Sequence, residues 1–531
     1  MSMHAERVII ARLIYPRATR AFRAQAMAVR QNRIIAVGHQ QEMDPLIGPR
    51  TKVEELGDRV ILPGLVDAHI HLANYANSLH AVDCQTKTLD ECLQKLKQRA
   101  ESSEPGTWIL GHGWDQNSWG EWPTAAALDS VTPENPVYLT ARSLHAGAAN
   151  SLALKSLNID ASTPDPQGGR LQRDESGRPT GILFEGSAMK LVSRHISPPS
   201  VPELADRLRH AQDRLWSFGV VGAHDFDGAA CLNALQILRA QDQLGLRVLK
   251  HIRVEYLDNA VELGLRAGLG DSWLKIGNIK IFTDGALGPR TAAMFDEYED
   301  TSGNHGMLLL DADEILNIAS RAKSAGYAMA IHAIGDRANE QALSALARLA
   351  HPSNQPTPLL PHRLEHLQLL RPQDMDRPAN LGVIASMQPV HALSDQSMAE
   401  RAWGERCRWS YAWRSILDSD AVLAFGSDAP VESPNPFWGI HAAVTRQQRA
   451  QPQMEPFIPE ERISLESALT AYTKGPAIAA GEQQHLGSLE HGRLADFIVL
   501  ASDPYEMDPA QLFDLKPEGT FVGGIWRSRN F

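Results

Sequence analysis

The sequence predicts an α/β protein: a (β/α)8 TIM-like barrel with a large insertion after its first strand and a small composite β-sandwich made from both termini. Three observations predict this class. Apolar strand-like runs alternate with helix-like segments through the middle of the chain, both ends are rich in short β-branched runs, and residues 73–218 interrupt the alternation. At 531 residues the chain is also too long for one simple core.

Both ends of the chain have the pattern of short strands. The runs RVIIARLIY (7–15) and AMAVRQNRIIAVG (26–38) near the start are separated by polar turns, and GRLADFIVLASDP (492–504) near the end has the same character. Chain termini often lie close together in space. We therefore expect residues 1–61 and 480–531 to form one composite β-sandwich domain.

The middle of the chain alternates between two kinds of segment. Helical stretches such as DEILNIASRAKSAG and ANEQALSALARLA lie between apolar runs, which is typical of a parallel sheet. About eight runs occur, as in a (β/α)8 barrel, and we expect the barrel domain to cover residues 62–479. The runs are 64–72, 219–226, 246–254, 278–285, 327–336, 361–370, 381–389 and 421–430.

The interruption at residues 73–218 has a composition of its own. It contains a helical stretch (LDECLQKLKQRA), a tryptophan-rich stretch (GWDQNSWGEWP) and a turn-rich stretch (DPQGGRLQRDESGRPTG). An unstructured connection of that length is improbable inside a compact domain. We therefore expect residues 73–218 to form a cap domain inserted after the first barrel strand.

The composition excludes several classes of function. The net charge of −12, from 51 basic and 63 acidic side chains, argues against binding to nucleic acid or to an anionic membrane, because both need a basic surface. No apolar stretch is long enough to span a bilayer, and MSMHAERVIIARLIYPRATR at the start lacks the features of a signal peptide. Four cysteines without a C-x-x-C pair fit a reducing cytosol. These features predict a cytoplasmic protein but do not define its substrate, which the functional hypothesis below takes to be a small molecule.

Side chains that can bind a metal ion follow several of the barrel runs. In ILPGLVDAHIHL (61–72) two histidines lie two residues apart, and the alternation of side chains along a strand directs both to one face. The carboxyl ends of barrel strands converge on one rim, where distant residues meet. Four neutral imidazoles and a carboxylate suit Zn²⁺ or a similar divalent ion. The candidate metal-binding residues are His69, His71, Lys280, His332, His366 and Asp428.

These motifs together resemble the amidohydrolase superfamily. The match consists of H-x-H after the first run, HAIGD at the fifth, EH at the sixth and GSDAP at the eighth. Two further stretches, IKIFTDGALGPRTA (279–292) and SLHAGAANSLAL (143–154), are similar to the YtcJ-like branch, which has a large insertion and includes N-substituted formamide deformylases. The resemblance covers nearly the whole chain, including GSLEHGRLADFIVL before the last strands.

The resemblance implies where two metal ions, expected to be zinc, would bind. His69 and His71 would hold the more buried ion together with Asp428, and His332 and His366 would hold the second. In the implied mechanism Asp428 is the catalytic residue: it takes a proton from a water whose pKa the metals lower, and it passes that proton to the leaving nitrogen.

Lys280 lies where two-metal members of the superfamily carry an N-carboxylated lysine. We therefore expect Lys280 to be N-carboxylated and to bridge the two ions as an anionic ligand. An unmodified ammonium group at this position would instead repel the cations. The alternative is an ordinary lysine at a strand edge whose amine reaches solvent.

Four further residues are candidates for substrate binding. Arg290 carries a forked donor that suits a substrate carboxylate, and a salt bridge is the alternative. His145 and Asn150 match the family pattern in the cap, where they either line the pocket or fix a turn. Trp114 belongs either to a small core of the insertion or to an aromatic wall for the leaving group.

The leading hypothesis is a metal-dependent hydrolase of a carbon–nitrogen bond in an amide-type, N-acyl or N-formyl compound. The alternative is a mononuclear deaminase of an aminated ring. Such deaminases in the superfamily lack the bridging lysine and place a glutamate soon after the histidine of the fifth run, whereas Glu340 lies further along the next helix. A non-catalytic barrel would have lost metal ligands, and all six are present here. The oligomeric state is open, with a homodimer as one alternative.

Overall fold

The structure is a computed structural model that describes residues 4–141, 146–166, 169–350, 358–449 and 453–531. The chain divides into two compact units. The larger unit contains Met1–Leu72 and Leu208–Phe531, and the smaller unit contains Ala73–Arg207. Within the described residues, no helix is both long enough and apolar enough to cross a membrane.

The secondary structure follows the chain in this order. The strands are β1 (Arg7–Ile14), β2 (Ala24–Arg30), β3 (Arg33–Gly38), β4 (Lys52–Glu55), β5 (Val60–Pro63), β6 (Leu65–Ile70), β7 (Val82–Asp83), β8 (Ile109–Trp114), β9 (Val137–Ala141), β10 (Ala146–Ala149), β11 (Arg170–Arg173), β12 (Pro179–Phe184), β13 (Val220–Asp225), β14 (Arg247–Arg253), β15 (Leu274–Phe282), β16 (Met329–Ala333), β17 (Arg363–His366), β18 (Ile384–Met387), β19 (Leu423–Phe425), β20 (Phe497–Leu500), β21 (Gly519–Val522) and β22 (Ile525–Arg529). The α-helices are α1 (Leu72–His80), α2 (Leu89–Glu101), α3 (Gln116–Trp119), α4 (Ala125–Asp129), α5 (Ser151–Ser156), α6 (Glu185–Ser193), α7 (Val201–Ser217), α8 (Ala229–Ala240), α9 (Leu257–Glu262), α10 (Ala312–Ser324), α11 (Asp336–Leu349), α12 (Arg377–Asn380), α13 (Pro389–Ser394), α14 (Gln396–Trp403), α15 (Trp413–Asp418), α16 (Pro436–Thr445), α17 (Leu465–Tyr472) and α18 (Lys474–Ala479). Short 3₁₀ helices cover Gln40–Leu46, Val254–Tyr256, Pro372–Asp374, Gly404–Trp409, Pro459–Glu461 and Pro509–Asp514.

An eight-stranded parallel sheet forms the barrel of the larger unit. Its order is β6-β13-β14-β15-β16-β17-β18-β19, and each neighbouring pair is parallel. Just beyond β19 and β6, the Asp428 amide donates to the His69 carbonyl over 2.7 Å, and the His71 amide donates to the Ala429 carbonyl over 3.0 Å. Each predicted barrel run overlaps one of these strands, so the (β/α)8 fold class is confirmed.

The barrel forms from segments whose sequences suit burial on both faces. Every residue of β13 and of β16 is buried, which matches the continuous apolar runs typical of parallel strands. Some of the helices between strands start at side-chain caps. For example, Asp311 caps α10 by accepting from the Glu314 amide, and the Glu314 side chain accepts from the Asp311 amide in return.

A second eight-stranded sheet in the larger unit draws on both ends of the chain. Its order is β22-β21-β20-β5-β1-β2-β3, with β4 also pairing to β1. The two ends of the chain meet where β5 and β20 pair antiparallel, with Ile61 opposite Val499. The structure assigns these strands to one sheet and to the same compact unit as the barrel. Separate domains at 1–61 with 480–531 and at 62–479 therefore remain a prediction.

The smaller unit has its own sheet and its own core. The strand order is β11-β12-β10-β9-β8-β7. Trp114 and Leu139 are buried in a cluster between this sheet and its helices. The unit Ala73–Arg207 falls inside the stretch 73–218 that was predicted as a cap, and the predicted end lies one residue beyond α7.

Candidate metal centre

The sequence-predicted ligands lie at the carboxyl ends of barrel strands. Lys280, His332 and His366 belong to the last three residues of β15, β16 and β17. His69 is in the penultimate position of β6, and His71 directly follows that strand. Asp428 comes three residues after β19. Because the strands run parallel around one barrel, their ends form a single rim, which is the usual place for an active site in this fold.

Two histidines and one carboxylate form the first cluster of metal-ligand type. His69 Nε2 lies 3.5 Å and His71 Nε2 lies 3.3 Å from Oδ1 of Asp428. One ligand atom from each of these three residues lies within 4.8 Å of the others. The H-x-H spacing brings this about, because residues two apart on a strand share a face.

A second cluster of the same type shares Asp428 and contains a residue that the sequence reasoning missed. His366, His391 and Asp428 offer ligand atoms within 4.8 Å of one another, and His391 Nε2 lies 3.5 Å from Oδ2 of Asp428. His391 is on α13, which starts two residues after β18. The signal was present in the sequence, because His391 comes only two residues after the end of the seventh run.

His332 is close to the second cluster but has a partner of its own. Its Nε2 lies 2.9 Å from the Gly285 carbonyl oxygen, to which it donates as the protonated nitrogen. Its ring centroid lies 4.5 Å from that of His366. The bond to Gly285 leaves Nδ1 as the nitrogen with a lone pair, which is the arrangement that a metal-binding imidazole needs.

Lys280 is buried with an amine that has no hydrogen-bond partner among the described residues. Its Nζ lies 4.6 Å from the ring centre of Phe226 and 4.8 Å from that of Phe282. Burial lowers the pKa of Lys280 to about 8, although the carboxylates of Glu365 and Asp428 act in the opposite direction. The alternative of an amine that reaches solvent does not describe this side chain.

A chain of hydrogen bonds between buried polar groups orients the imidazole of His69. His69 Nδ1 donates to Oε2 of Glu365 over 2.7 Å, which leaves Nε2 free to face Asp428. Both oxygens of Glu365 accept from the buried guanidinium of Arg363, at 2.5 and 3.1 Å. Arg363 also donates to Nδ1 of His224 over 2.9 Å. The orientation of one candidate ligand is therefore coupled to the interior of the barrel.

Asp428 is held in place by its backbone and by the preceding turn. Its φ of 59° lies in the left-handed region, which is uncommon for a residue with a side chain. Oδ1 of Asp67 accepts from the amides of His69 and Ser427, at 3.1 and 3.0 Å, and Oδ2 accepts from the Ser427 hydroxyl. The end of the eighth barrel strand is thus fastened to the end of the first.

Burial keeps several of these imidazoles neutral. Burial lowers the pKa of His69 to about 4 and that of His332 to about 3, and it lowers the pKa of His366 well below its usual value. Burial also lowers the pKa of His71 and His391, but neighbouring carboxylates outweigh it and raise the two values to about 10 and about 9. A cation would displace those two protons, because metal binding requires the neutral imidazole.

The surroundings of Asp428 favour the charged form of its side chain, as an anionic ligand requires. Burial alone raises the pKa of its carboxyl group, but contacts with His391 and His71 outweigh burial and hold the pKa well below its usual range. The carboxylate is therefore ionised. Once a cation has displaced the protons of His71 and His391, neutral imidazoles around an ionised carboxylate form the donor set that zinc and similar divalent ions prefer.

Unpaired atoms provide a test of whether a cation fits here. His366 Nδ1 and His391 Nε2 are buried and have no hydrogen-bond partner among the described residues. Unpaired polar atoms are costly inside a protein, and a cation is a partner that both nitrogens could bind. The residues present therefore fit a bound cation.

A third group with ligand-type side chains is already neutralised. Asp225, Asp227 and Cys231 offer atoms within 4.8 Å of one another. The buried ammonium of Lys250 lies 2.8 Å from Asp225 Oδ2 and also donates to the Asp227 carbonyl. A positive charge thus occupies the place that a cation would take.

The predicted substrate-binding residues are engaged in contacts within their own segments. The Arg290 guanidinium pairs with Asp300 through Nε at 3.0 and 3.1 Å, which is the salt-bridge alternative. Asn150 accepts from the amides of Val137 and Ala153 and so fixes a turn of the smaller unit. Trp114 is fully buried in the core of that unit, and His145 lies outside the described residues. A role of any of the four in substrate binding remains a prediction.

Comparison with known proteins gives matches over nearly the full chain. The model of the amidohydrolase family matches residues 52–525. Protein LONG AFTER FAR-RED 3 of Arabidopsis thaliana is 34% identical over 94% of this chain and 88% of its own length. The N-substituted formamide deformylase of Arthrobacter pascens is 31% identical over 95% of both chains.

A solved structure matches to the same extent. An uncharacterized metal-dependent hydrolase from Pyrococcus furiosus is 30% identical, with a TM-score of 0.79. The match covers 94% of this chain and all of that one. The resemblance that the motifs predicted is confirmed by these matches in sequence and in fold.

Proposed function

The chain belongs to the amidohydrolase family and is a metal-dependent hydrolase of carbon–nitrogen bonds, and within that class we propose that it cleaves an N-acyl or N-formyl amide of a small molecule. One observation carries the proposal. The carboxylate of Asp428 faces two histidine clusters, with Oδ1 toward His69 and His71 and Oδ2 toward His391. A carboxylate placed in this way can bind a cation and also exchange a proton with the reacting groups.

Two divalent cations, zinc in this proposal, would be held at the rim by the side chains described above. His69, His71 and Asp428 would hold one, and His332 and His366 would hold the other. A bound divalent cation supplies a water of lowered pKa and polarises a carbonyl oxygen. The protein supplies the ligands, their orientation and the burial that strengthens each charge interaction.

Asp428 exchanges the proton in the proposed reaction. Its carboxylate is ionised and lies at the rim between the histidines, so it accepts the proton of the attacking water. It then gives that proton to the nitrogen of the departing amine as the carbon–nitrogen bond breaks. The amide is thereby converted to a carboxylic acid, or to formate, and an amine. Glu365 keeps His69 in one tautomer during these steps.

Lys280 is proposed to be N-carboxylated. Its amine is buried and unpartnered at the same rim, where an ammonium would repel a cation. Addition of carbon dioxide to the neutral amine forms an N–C bond and releases one proton. The resulting carbamate is an anion with two oxygens, and it can bridge two cations as a carboxylate does.

The deaminase alternative lacks a supporting observation at the rim. Glu340, the first glutamate after His332 and a residue of α11, accepts from Ser344 over 2.5 Å and from Gln341 over 2.8 Å. Both contacts lie within its own helix. This geometry leaves the amide hydrolase as the function that the site supports best.

A screen of N-formyl and N-acyl amines tests the proposal. The zinc-loaded protein should release one equivalent of formate or carboxylic acid for each equivalent of free amine, and removal of zinc by a chelator should abolish turnover. Release of ammonia from aminated rings, without activity on amides, would establish the deaminase. Turnover that is unchanged after complete removal of metal would contradict the metal-dependent mechanism.

A further inference from the structure

The two oxygens of Asp428 face different sets of histidines. Oδ1 lies 3.5 Å from His69 Nε2 and 3.3 Å from His71 Nε2. Oδ2 lies 3.5 Å from His391 Nε2. A single carboxylate thus contributes one atom to each of two ligand clusters, and the second cluster contains His391.

These nitrogen–oxygen distances are closer to the distance between two ligands of one metal ion than to the length of a hydrogen bond. A charge-assisted hydrogen bond between an imidazole and a carboxylate is about 2.7–2.9 Å long. Two ligands bound tetrahedrally to one zinc, each about 2.0–2.1 Å from the metal, lie about 3.3 Å apart. The distances of 3.3 to 3.5 Å around Asp428 agree with the second value.

His391 also has an unmet requirement for a partner. Its side chain is 8% exposed, and Nε2 makes no hydrogen bond to any described residue. The same holds for Nδ1 of the neighbouring His366, whose ring centroid lies 6.4 Å from that of His391. His366, His391 and Asp428 offer ligand atoms within 4.8 Å of one another, and a bound cation would satisfy the two imidazole nitrogens that make no hydrogen bond.

We infer that His391 is a direct ligand of the second cation, together with His366 and Oδ2 of Asp428. The inference rests on the proposed function, because it assumes that the rim binds two cations. It adds a ligand from α13, the helix after the seventh barrel strand, to the six that the sequence motifs predicted.

Metal binding by His391→Ala tests the inference without an assay of activity. At equal buffered zinc concentrations, metal analysis should find two cations in the wild-type chain and one in the variant. The second site should weaken by more than about a hundredfold, because residues behind the ligand shell cost only about 10- to 100-fold. His485→Ala is the matched control, since this histidine is exposed and outside the rim, and it should keep both cations.

A second variant separates ligation from hydrogen bonding to Asp428. The amide of His391→Gln can donate to Oδ2 but is a poor zinc ligand. The inference predicts that this variant also loses the second cation, and that the absorption of the cobalt-loaded protein falls to the level of one bound ion. Full rescue by glutamine, or a loss of less than about a hundredfold in His391→Ala, would overturn the inference.

Failure of the inference can be distinguished from failure of the proposed function. If the wild-type chain binds no cation, the proposed function is wrong and the inference falls with it. If the wild type and His391→Ala both bind two, only the inference is wrong. Should the variants not fold, anomalous diffraction from zinc-loaded wild-type crystals decides: the second zinc should lie about 2.0–2.1 Å from His391 Nε2, and a zinc beyond ligand distance would overturn the inference.

Discussion

The Nδ1 atom of His69 lies 2.7 Å from the Oε2 atom of Glu365, and both side chains are almost completely buried. Glu365 in turn neutralises the buried guanidinium of Arg363. The same carboxylate therefore orients a candidate metal ligand and balances a charge in the barrel interior. Its loss should affect cation binding and folding together.

Glu365→Gln is expected to reduce both properties. The variant leaves the Arg363 charge without its counter-ion, so the free energy of unfolding should fall by about 3–5 kcal/mol. Cation affinity should fall by about 10- to 100-fold, because glutamine has one acceptor oxygen where Glu365 has two, and His69 and Arg363 must compete for it. Denaturant unfolding and zinc titration measure the two effects. Glu490→Gln, which removes a more exposed pair with Arg17, should cost no more than about 1 kcal/mol.

Asp428→Asn should abolish most of the turnover. Asparagine has nearly the same shape but cannot accept the proton, so kcat should fall by about 10²- to 10⁴-fold. Zinc titration should show weaker binding as well, because an amide oxygen replaces an anionic ligand. Asp418→Asn, which removes an exposed pair with Arg414, is the control and should leave kcat within about twofold. A rise in KM alone would contradict the role assigned to Asp428.

Lys280→Met should remove the proposed carbamate without opening a cavity. Methionine has a similar length and fits an apolar site, so stability should be unchanged or higher. The intact mass of the wild-type chain, measured under native conditions, should exceed the sequence mass by one carbon dioxide, and that of the variant should not. Lys275→Met removes a lysine that pairs with Glu482 and should retain the adduct. An unmodified wild-type chain that binds two cations would contradict the carbamate.

Gly426→Ala should distort the rim through the backbone. A Cβ atom at this position would lie 2.3 Å from the His69 amide nitrogen and 2.8 Å from Asp67 Oδ1. Because the closest atom belongs to the backbone, the variant should lose about 1–3 kcal/mol of stability and bind zinc more weakly. Gly288→Ala is the matched control, with no heavy atom within 4 Å of its Cβ. Equal stability of the two variants in thermal unfolding would refute this argument.

His362 should make stability depend on pH below neutrality. Burial, followed by the charge of Lys323, lowers the pKa of His362 from 6.5 to about 4. Between these pH values the unfolded chain binds a proton that the folded chain does not, so stability falls as the pH drops through this window. The full effect is about 3 kcal/mol.

The variant His362→Asn isolates this contribution. Its amide oxygen can take over from Nδ1, which accepts from the Met329 amide over 3.1 Å. The difference in unfolding free energy between wild type and variant should therefore move in favour of the variant from pH 7 to pH 4. A difference that does not change with pH would show that His362 does not titrate as expected.

The predictions from sequence succeeded where the signal is local. The apolar runs that contain β6, β13 and β16 were identified because a strand buried on both faces needs a continuous run of apolar residues. The H-x-H motif was recognised for a similar reason, because side chains two residues apart on a strand point to the same face of the sheet. His391 was missed because it lies on the helix α13, two residues beyond the end of the seventh apolar run, whereas the six predicted ligands lie within their runs.

The contacts of the predicted substrate-binding residues were not accessible from the sequence. Arg290 had a substrate carboxylate and a salt bridge as equal alternatives, and only the folded loop shows the pairing with Asp300. Asn150 and Trp114 likewise had two interpretations each, and the structure shows a capped turn and a packed core. In each case the partner is set by how the loop or unit closes, which the one-dimensional pattern does not encode.

The sequence by itself determined the barrel, its order of strands and helices, and the rim at which the candidate ligands lie. This is because hydrophobic periodicity and strand direction are properties of short segments. Only the tertiary structure decided that Asp428 turns one oxygen to His69 and His71 and the other to His391. Those side chains are up to 359 residues apart, and their distances follow from the closure of the eight strands and the backbone turn at Asp428.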